Sequence, residues 1–260
     1  MNKAQVRELS QLQVTVRHLL DVWPAVLQRR DFLRAMSQSE ALRGALEKTY
    51  AAHVFNSMHT AMSFDLVRAV GALILDRRRG TASVCRAVTW LRNPTVIEEL
   101  RSHAYDCKTR HRGMFDATFA RVPTQLDELQ TKIFAAPAAK VIEEIRNKTV
   151  AHSAVEHDGS DWKMWAVSSG ETLTYGQLDE YIDLCTEAVD TLSHLVLRTA
   201  CCFGDLPGIN QRYVDEYVDA LVIGLKQQKQ AKQRKREENL RSMEDLMAAP
   251  TDLGGAESAS

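Results

Sequence analysis

The chain has 260 residues and a formal net charge of -1, so no global charge draws it to nucleic acid or to a membrane surface, and any such partner must be met by a local patch. Only 12 Gly and 6 Pro punctuate it, which excludes a turn-rich, many-stranded sheet protein and favours long helices. Its five cysteines (Cys85, Cys107, Cys185, Cys201 and Cys202) are odd in number and lack a CxxC spacing, which argues against a disulfide framework or a zinc cluster and fits buried thiols in a reducing compartment.

The first eight residues are polar, with no apolar signal core, and no uninterrupted run of roughly 18 apolar residues follows. A cytoplasmic protein that makes no membrane contact is expected. Val6, Leu9, Leu12, Val16, Leu19 and Leu20 keep helical spacing over residues 3–20. Pro24 is expected to interrupt, with a second short helix running through Phe32 and Leu33. Ser39 then precedes a helix predicted over Glu40 to Leu75, interrupted only by Gly44 and Gly71. His53 and His59 lie six apart on it and are expected at the core edge or on the surface.

Asp76-Arg77-Arg78-Arg79-Gly80 is predicted to end that helix. Three cations suit the negative end of the helix dipole and Gly80 suits the cap; an RNA-contacting patch is the alternative use of Arg77, Arg78 and Arg79. Thr81 or Ser83 caps a short helix from Val84 to Leu91. Asn93 caps the next, with Pro94 in its first turn and Val96, Ile97 and Leu100 on its apolar face. The polar stretch from Arg101 to Arg112 reads as a solvated face. Pro123 opens an amphipathic stretch through Phe134, and after Pro137 a helix begins near Ala138. Glu156 to Asp161 reads as loop and Trp162 to Val167 as a short strand or an irregular segment. Thr174 caps a long helix predicted to run from Tyr175 to Cys202. Gly204 to Gly208 breaks it, and a last helix starts near Arg212. That helix continues into Lys226 to Arg236, where six cations and no acids occur, and residues from about 248 onward are small and polar, as disordered tails are.

The chemistry concentrates at Ile145-Arg146-Asn147-Lys148-Thr149-Val150-Ala151-His152. Arg146 is a permanent cation whose planar fork matches phosphate oxygens. His152 titrates near neutrality and can exchange a proton with a 2′-hydroxyl. Asn147 can orient either the imidazole or the substrate. Positions six apart lie about 240° round a helix at roughly 100° per residue, so Arg146 and His152 share no face. Two copies meeting on a twofold axis can pool them in one cleft. The plain alternative remains open at this point: Arg146 caps a neighbouring helix and His152 sits at a helix C-terminus.

Arg146-Asn147, four residues and His152 match the RNxxxxH motif of the HEPN superfamily. Lys148 and Ala151 within the motif, the run Ser83 to Arg101 with its Asn-Pro step, and Thr172-Leu173-Thr174-Tyr175-Gly176 resemble the AbiU2 type. The resemblance covers about residues 40–200. It implies an all-α HEPN-like bundle of long antiparallel helices, dimerising through the motif helix, within a single domain over 1–225. Residues 226–260 form a basic helical extension and disordered tail outside it. It also implies a metal-independent endoribonuclease of a toxin–antitoxin or abortive-infection (antiphage) system, with catalytic Arg146, Asn147 and His152. Lys148, Arg77, Arg78 and Arg79 are the candidate RNA-binding cations; no cofactor and no metal are implied. RNA is the substrate, a homodimer the assembly and an antitoxin protein a possible partner. The alternative is a catalytically inactive helical binding or regulatory module of a defence complex. A metal hydrolase fits poorly, because no His-x-x-His or Glu-x-x-His pair occurs.

Overall fold

A computed structural model describes residues 3–106, 112–151, 156–157, 162–163, 173–199 and 203–248. These residues are almost entirely helical. The helices are α1 (Lys3–Gln38), α2 (Glu40–Leu46), α3 (Ala51–Val70), α4 (Val84–Leu91), α5 (Pro94–Asp106), α6 (Arg112–Leu129), α7 (Pro137–Ala151), α8 (Tyr175–Leu197) and α9 (Leu206–Ala248). Single π-helical turns extend α3 (Gly71–Leu75) and α6 (Gln130–Phe134). A two-residue antiparallel pair, β1 (Glu156–His157) on β2 (Trp162–Lys163), is the one sheet among the described residues. Glu156–His157 therefore pairs where the sequence suggests loop; residues 164–167 of the expected strand lie outside the described residues.

The bundle is organised on α1. Leu9, Leu12, Val16, Leu19, Trp23, Val26 and Leu27 recur every three or four residues and are buried against α3, α4, α8 and α9. Polar ties fix the register: Trp23 Nε1 donates to Thr186 Oγ1 (3.0 Å), Arg30 pairs with Asp183, and Arg34 Nε donates to Asp179 Oδ2 (2.9 Å). The α1 partners rise in number as those on α8 fall, so the two helices run antiparallel. Asn210 Nδ2 donates to Asp31 Oδ2 at 2.9 Å and pins α9 to the same helix.

Pro24 lies inside α1 and Pro123 inside α6, so neither breaks its helix. The missing N–H costs one backbone bond, a local loss of about 3 kcal/mol. For α1, burial of Trp23, Val26 and Leu27 around the proline offsets that loss. The helix expected from Glu40 to Leu75 is instead divided at Glu47–Tyr50, where Lys48 takes a left-handed φ of 58°. The long C-terminal helices also differ from expectation. α8 ends at Leu197 with left-handed Arg198 as its cap, and α9 begins at Leu206, ahead of Arg212.

The stretch Ala51–Leu75 is long and apolar enough to cross a membrane by length and composition. It carries Asp65 and Arg68, paired at 2.7 Å, and packs on α1 and α7 through Leu66, Val67 and Val70. On α9, Val214, Val218, Val222 and Leu225 face the bundle. Every residue from 226 to 244 is exposed along about 28 Å of helix at about 1.5 Å per residue, and Lys229 Nζ in this stretch donates to the Gly44 carbonyl of α2 at 3.2 Å.

Candidate functional site

The motif helix α7 starts at Pro137, whose missing N–H costs nothing in a first turn. Ala139, Val141, Ile142 and Ile145 are buried, and this face lies on α3, its π-turn and α8. Arg146 continues the inward face and is only 8% exposed. Asn147, one residue further round, is exposed.

The contacts of the Arg146 guanidinium include a carbonyl, a carboxylate and an amide oxygen. Nη1 donates to the Gly71 carbonyl at 3.2 Å and lies 3.8 Å from Asp76 Oδ2. Nε and Nη2 both donate to Asn147 Oδ1, at 3.4 and 3.2 Å. The Nε/Nη2 edge is the fork that grips a phosphate or carboxylate in a bidentate contact. Here a neutral amide oxygen occupies it at the long end of hydrogen-bond distance.

Gly71 makes this approach possible. A Cβ there would stand 3.2 Å from both Arg146 Cδ and Ile142 Cγ2, inside ordinary van der Waals contact. The Asp76 side chain is 10% exposed and is itself held in place. Its Oδ1 accepts from the Arg78 backbone N–H at 3.0 Å, and its carbonyl accepts from Ser83 Oγ. Ser83 in turn caps α4 by accepting from the Arg86 N–H, so one serine joins the loop to the next helix.

Asp76 and Gly71 are the two site residues that sequence reasoning missed. In the sequence Asp76 reads only as part of a helix end. Its signal is a carboxylate placed between an apolar helix and three arginines. A lone Gly inside an apolar helical run signals close backbone approach, although Gly71 by itself reads as a simple interruption.

The structure separates the three loop arginines, which lie past the end of the helical segment at Leu75 and not in its last turn. Arg77 lies beside Cys85, where burial raises the thiol pKa and the Arg77 charge partly opposes that rise. Arg78 Nε reaches Asp76 Oδ1 at 3.5 Å. Arg79 faces a groove between α1 and α4. Gly80 turns the loop at a φ of 89°, as expected of it. Lys148 lies on α7, but its side chain falls outside the described residues, as does His152 altogether.

The family model described as AbiU2, of the HEPN group, matches residues 7–217. No curated protein and no solved structure matches the chain. With most of its length matched, the chain belongs to the AbiU2 family of HEPN domains, a family associated with abortive infection. The match reaches well beyond residues 40–200 and takes in α1, on which the bundle is built.

Proposed function

We propose that this AbiU2-type HEPN chain is a metal-independent endoribonuclease whose active site is completed by two copies of the motif helix. The observation that carries this reading is the Arg146 fork, oriented by Asp76 and Gly71 and closed by an exchangeable Asn147 oxygen. A phosphate oxygen is a stronger acceptor than an amide and carries charge, so it displaces Asn147 Oδ1 from the fork. Arg146 then stabilises charge developing on the phosphoryl oxygens.

In this scheme His152 takes the proton from the 2′-hydroxyl. The 2′-oxygen attacks phosphorus, the bond to the 5′-oxygen breaks, and that oxygen receives a proton from an imidazolium. The products are a 2′,3′-cyclic phosphate and a 5′-hydroxyl. Arg146 and His152 lie about 240° apart on an ideal helix, which is why a second copy is invoked. The setting is an abortive-infection or toxin–antitoxin system in the cytoplasm, with an antitoxin partner holding the activity in check.

One observation favours a second reading, a non-catalytic regulatory module of a defence complex. Arg146 is buried beside Asp76, as a purely structural arginine would be. Cleavage of single-stranded RNA in EDTA, by wild type and by His152→Ala at equal helicity and dimer content, separates the two. The expected result is a loss of about 10²- to 10⁴-fold, the range for a general acid–base group. Equal rates for the two proteins would remove His152 from the mechanism, and no cleavage by wild type would leave the regulatory reading standing.

A further inference from the structure

The loop that carries Asp76 opens, beyond Arg78, onto a groove of about 1100 Å³ between the N-terminal half of α1 and α4. Arg7, Arg79 and Arg86 line it from three different segments, against a single carboxylate, Glu8. Glu8 is already engaged, accepting from Asn93 Nδ2 at 3.1 Å. Among the described residues no carboxylate forms an ion pair with Arg7, Arg79 or Arg86. The chain has no net positive charge, so three such arginines in one groove form a local cationic patch.

Arg86 carries the most specific signal. Its guanidinium carbon lies over the Trp90 ring, 4.7 Å from the ring centre, so the pair forms a cation–π platform at the groove wall. Its Nε is buried and has no protein acceptor. Buried donors of this kind are satisfied in nearly all native structures, so Arg86 has hydrogen-bonding capacity that the chain itself leaves unused.

We propose that this groove holds a segment of single-stranded RNA, with Arg7, Arg79 and Arg86 on successive phosphates and a base seated at the Arg86–Trp90 platform. The proposal rests on RNA being the substrate and adds where the strand lies before it reaches Arg146. Phosphates with interleaved planar bases are the chemistry that arginines beside an aromatic ring recognise. The arginines come from three segments along the groove, which suits successive phosphates of a strand. Arg79 is also three residues from Asp76, so the loop that reaches the groove is the one that carries the carboxylate beside Arg146.

The test is anisotropy binding of a fluorescein-labelled single-stranded RNA to the full chain carrying His152→Ala, so that the probe is not consumed. Arg79→Gln and Arg86→Gln are each expected to weaken binding about 5- to 10-fold and to reduce the salt slope by about 0.7 for each phosphate set free. Arg79 sits on an exposed loop, so its variant reports on binding without risk to the core. Arg86→Lys, which keeps charge but loses the planar stack, is expected to recover only part of the affinity. Binding by both Gln variants equal to the parent overturns the proposal, as does absence of RNA binding. Displacement of the RNA by AMP at comparable concentration also overturns it, in favour of a mononucleotide site. Groove-dependent binding with no cleavage by the wild type leaves the groove standing and removes the ribonuclease reading. Cleavage with unchanged kcat/KM in both Gln variants does the reverse.

Discussion

Arg30 and Arg146 are both buried, at 4% and 8% exposure, yet their settings differ. Arg30 is locked between two carboxylates: Nε and Nη2 each reach Asp31 Oδ1 at 3.1 Å, and Nη1 pairs closely with Asp183. Asp31 is fixed in turn by Asn210 from α9. Three long helices converge on that cluster, and its charges are met within the fold. Arg146 faces a carbonyl, an amide oxygen and one carboxylate at 3.2–3.8 Å. The first arrangement is what a bundle needs to fix its register. The second holds a cation in a set direction with an amide oxygen at its bidentate edge, a contact that a charged acceptor can replace.

The largest expected effect tests the locked side. Arg30→Ala strands the buried Asp31, while the largely exposed Asp183 returns to water, and is expected to cost about 3 kcal/mol in urea denaturation, the low end for breaking a buried pair. Cleavage per folded molecule should not change. Arg146→Ala is expected to behave oppositely, with a drop of about 10²- to 10³-fold in RNA cleavage. Its destabilisation should be smaller than that of Arg30→Ala, because Asp76 stands 3.8 Å from Arg146 whereas Asp31 loses a contact at 3.1 Å. Were the two variants equally destabilised, with cleavage untouched in both, the contrast would collapse and Arg146 would be a structural arginine like Arg30.

Gly71→Ala sharpens the comparison from the other side. Its methyl group meets Arg146 Cδ and Ile142 Cγ2, so those side chains must give by a few tenths of an ångström; about 1 kcal/mol is expected, the low end of the cost of overpacking. Cleavage should fall with it because Arg146 moves, which a thermal melt and a rate measurement on one sample would show. Thr174→Ala, far from both arginines, removes the capping box of α8 and is expected to cost about 1 kcal/mol with no effect on cleavage.

The smallest effect concerns pH. His59 lies between Ser37 Oγ (2.9 Å) and Tyr175 OH (3.2 Å), and burial lowers its pKa, partly offset by the Leu33 backbone. The unfolded chain therefore binds more protons than the folded chain just below the ordinary value of about 6.5. Stability from this group is present above that pH and is lost as pH falls. Replacing it by His59→Gln should flatten the dependence of the urea midpoint between about pH 5 and 7.

Helix starts are legible in the sequence because caps are local chemistry. Ser39, Ser83, Asn93 and Thr174 each accept from a backbone N–H two or three residues on, at the positions expected of them. Continuity through Pro24 and Pro123 is not legible, because tertiary packing outweighs the local cost of proline. The break at Lys48 is equally hidden: no Gly, Asn or Pro marks a left-handed residue there. At the site, the residue types and spacing of Arg146 and Asn147 are readable, since the motif is contiguous. Asp76 and Gly71 lie 70 and 75 residues upstream of Arg146 and join it only when α7 docks on α3. No local pattern encodes such a contact.

The two π-turns bear on how this site tolerates change. Each accommodates one residue more than an α-helical path would, and α7 touches both. An extra residue of this kind works as a phase setting: removing it rotates everything downstream by about 100°. Deleting Ala72 or Thr131 would leave composition, charge and helix content nearly untouched. It would nonetheless swing Asp76, or the start of α7, away from its counterpart. The meeting of Arg146 with Asp76 thus depends on how many residues lie between them as much as on which residues they are, so insertions and deletions here should be far less tolerated than substitutions.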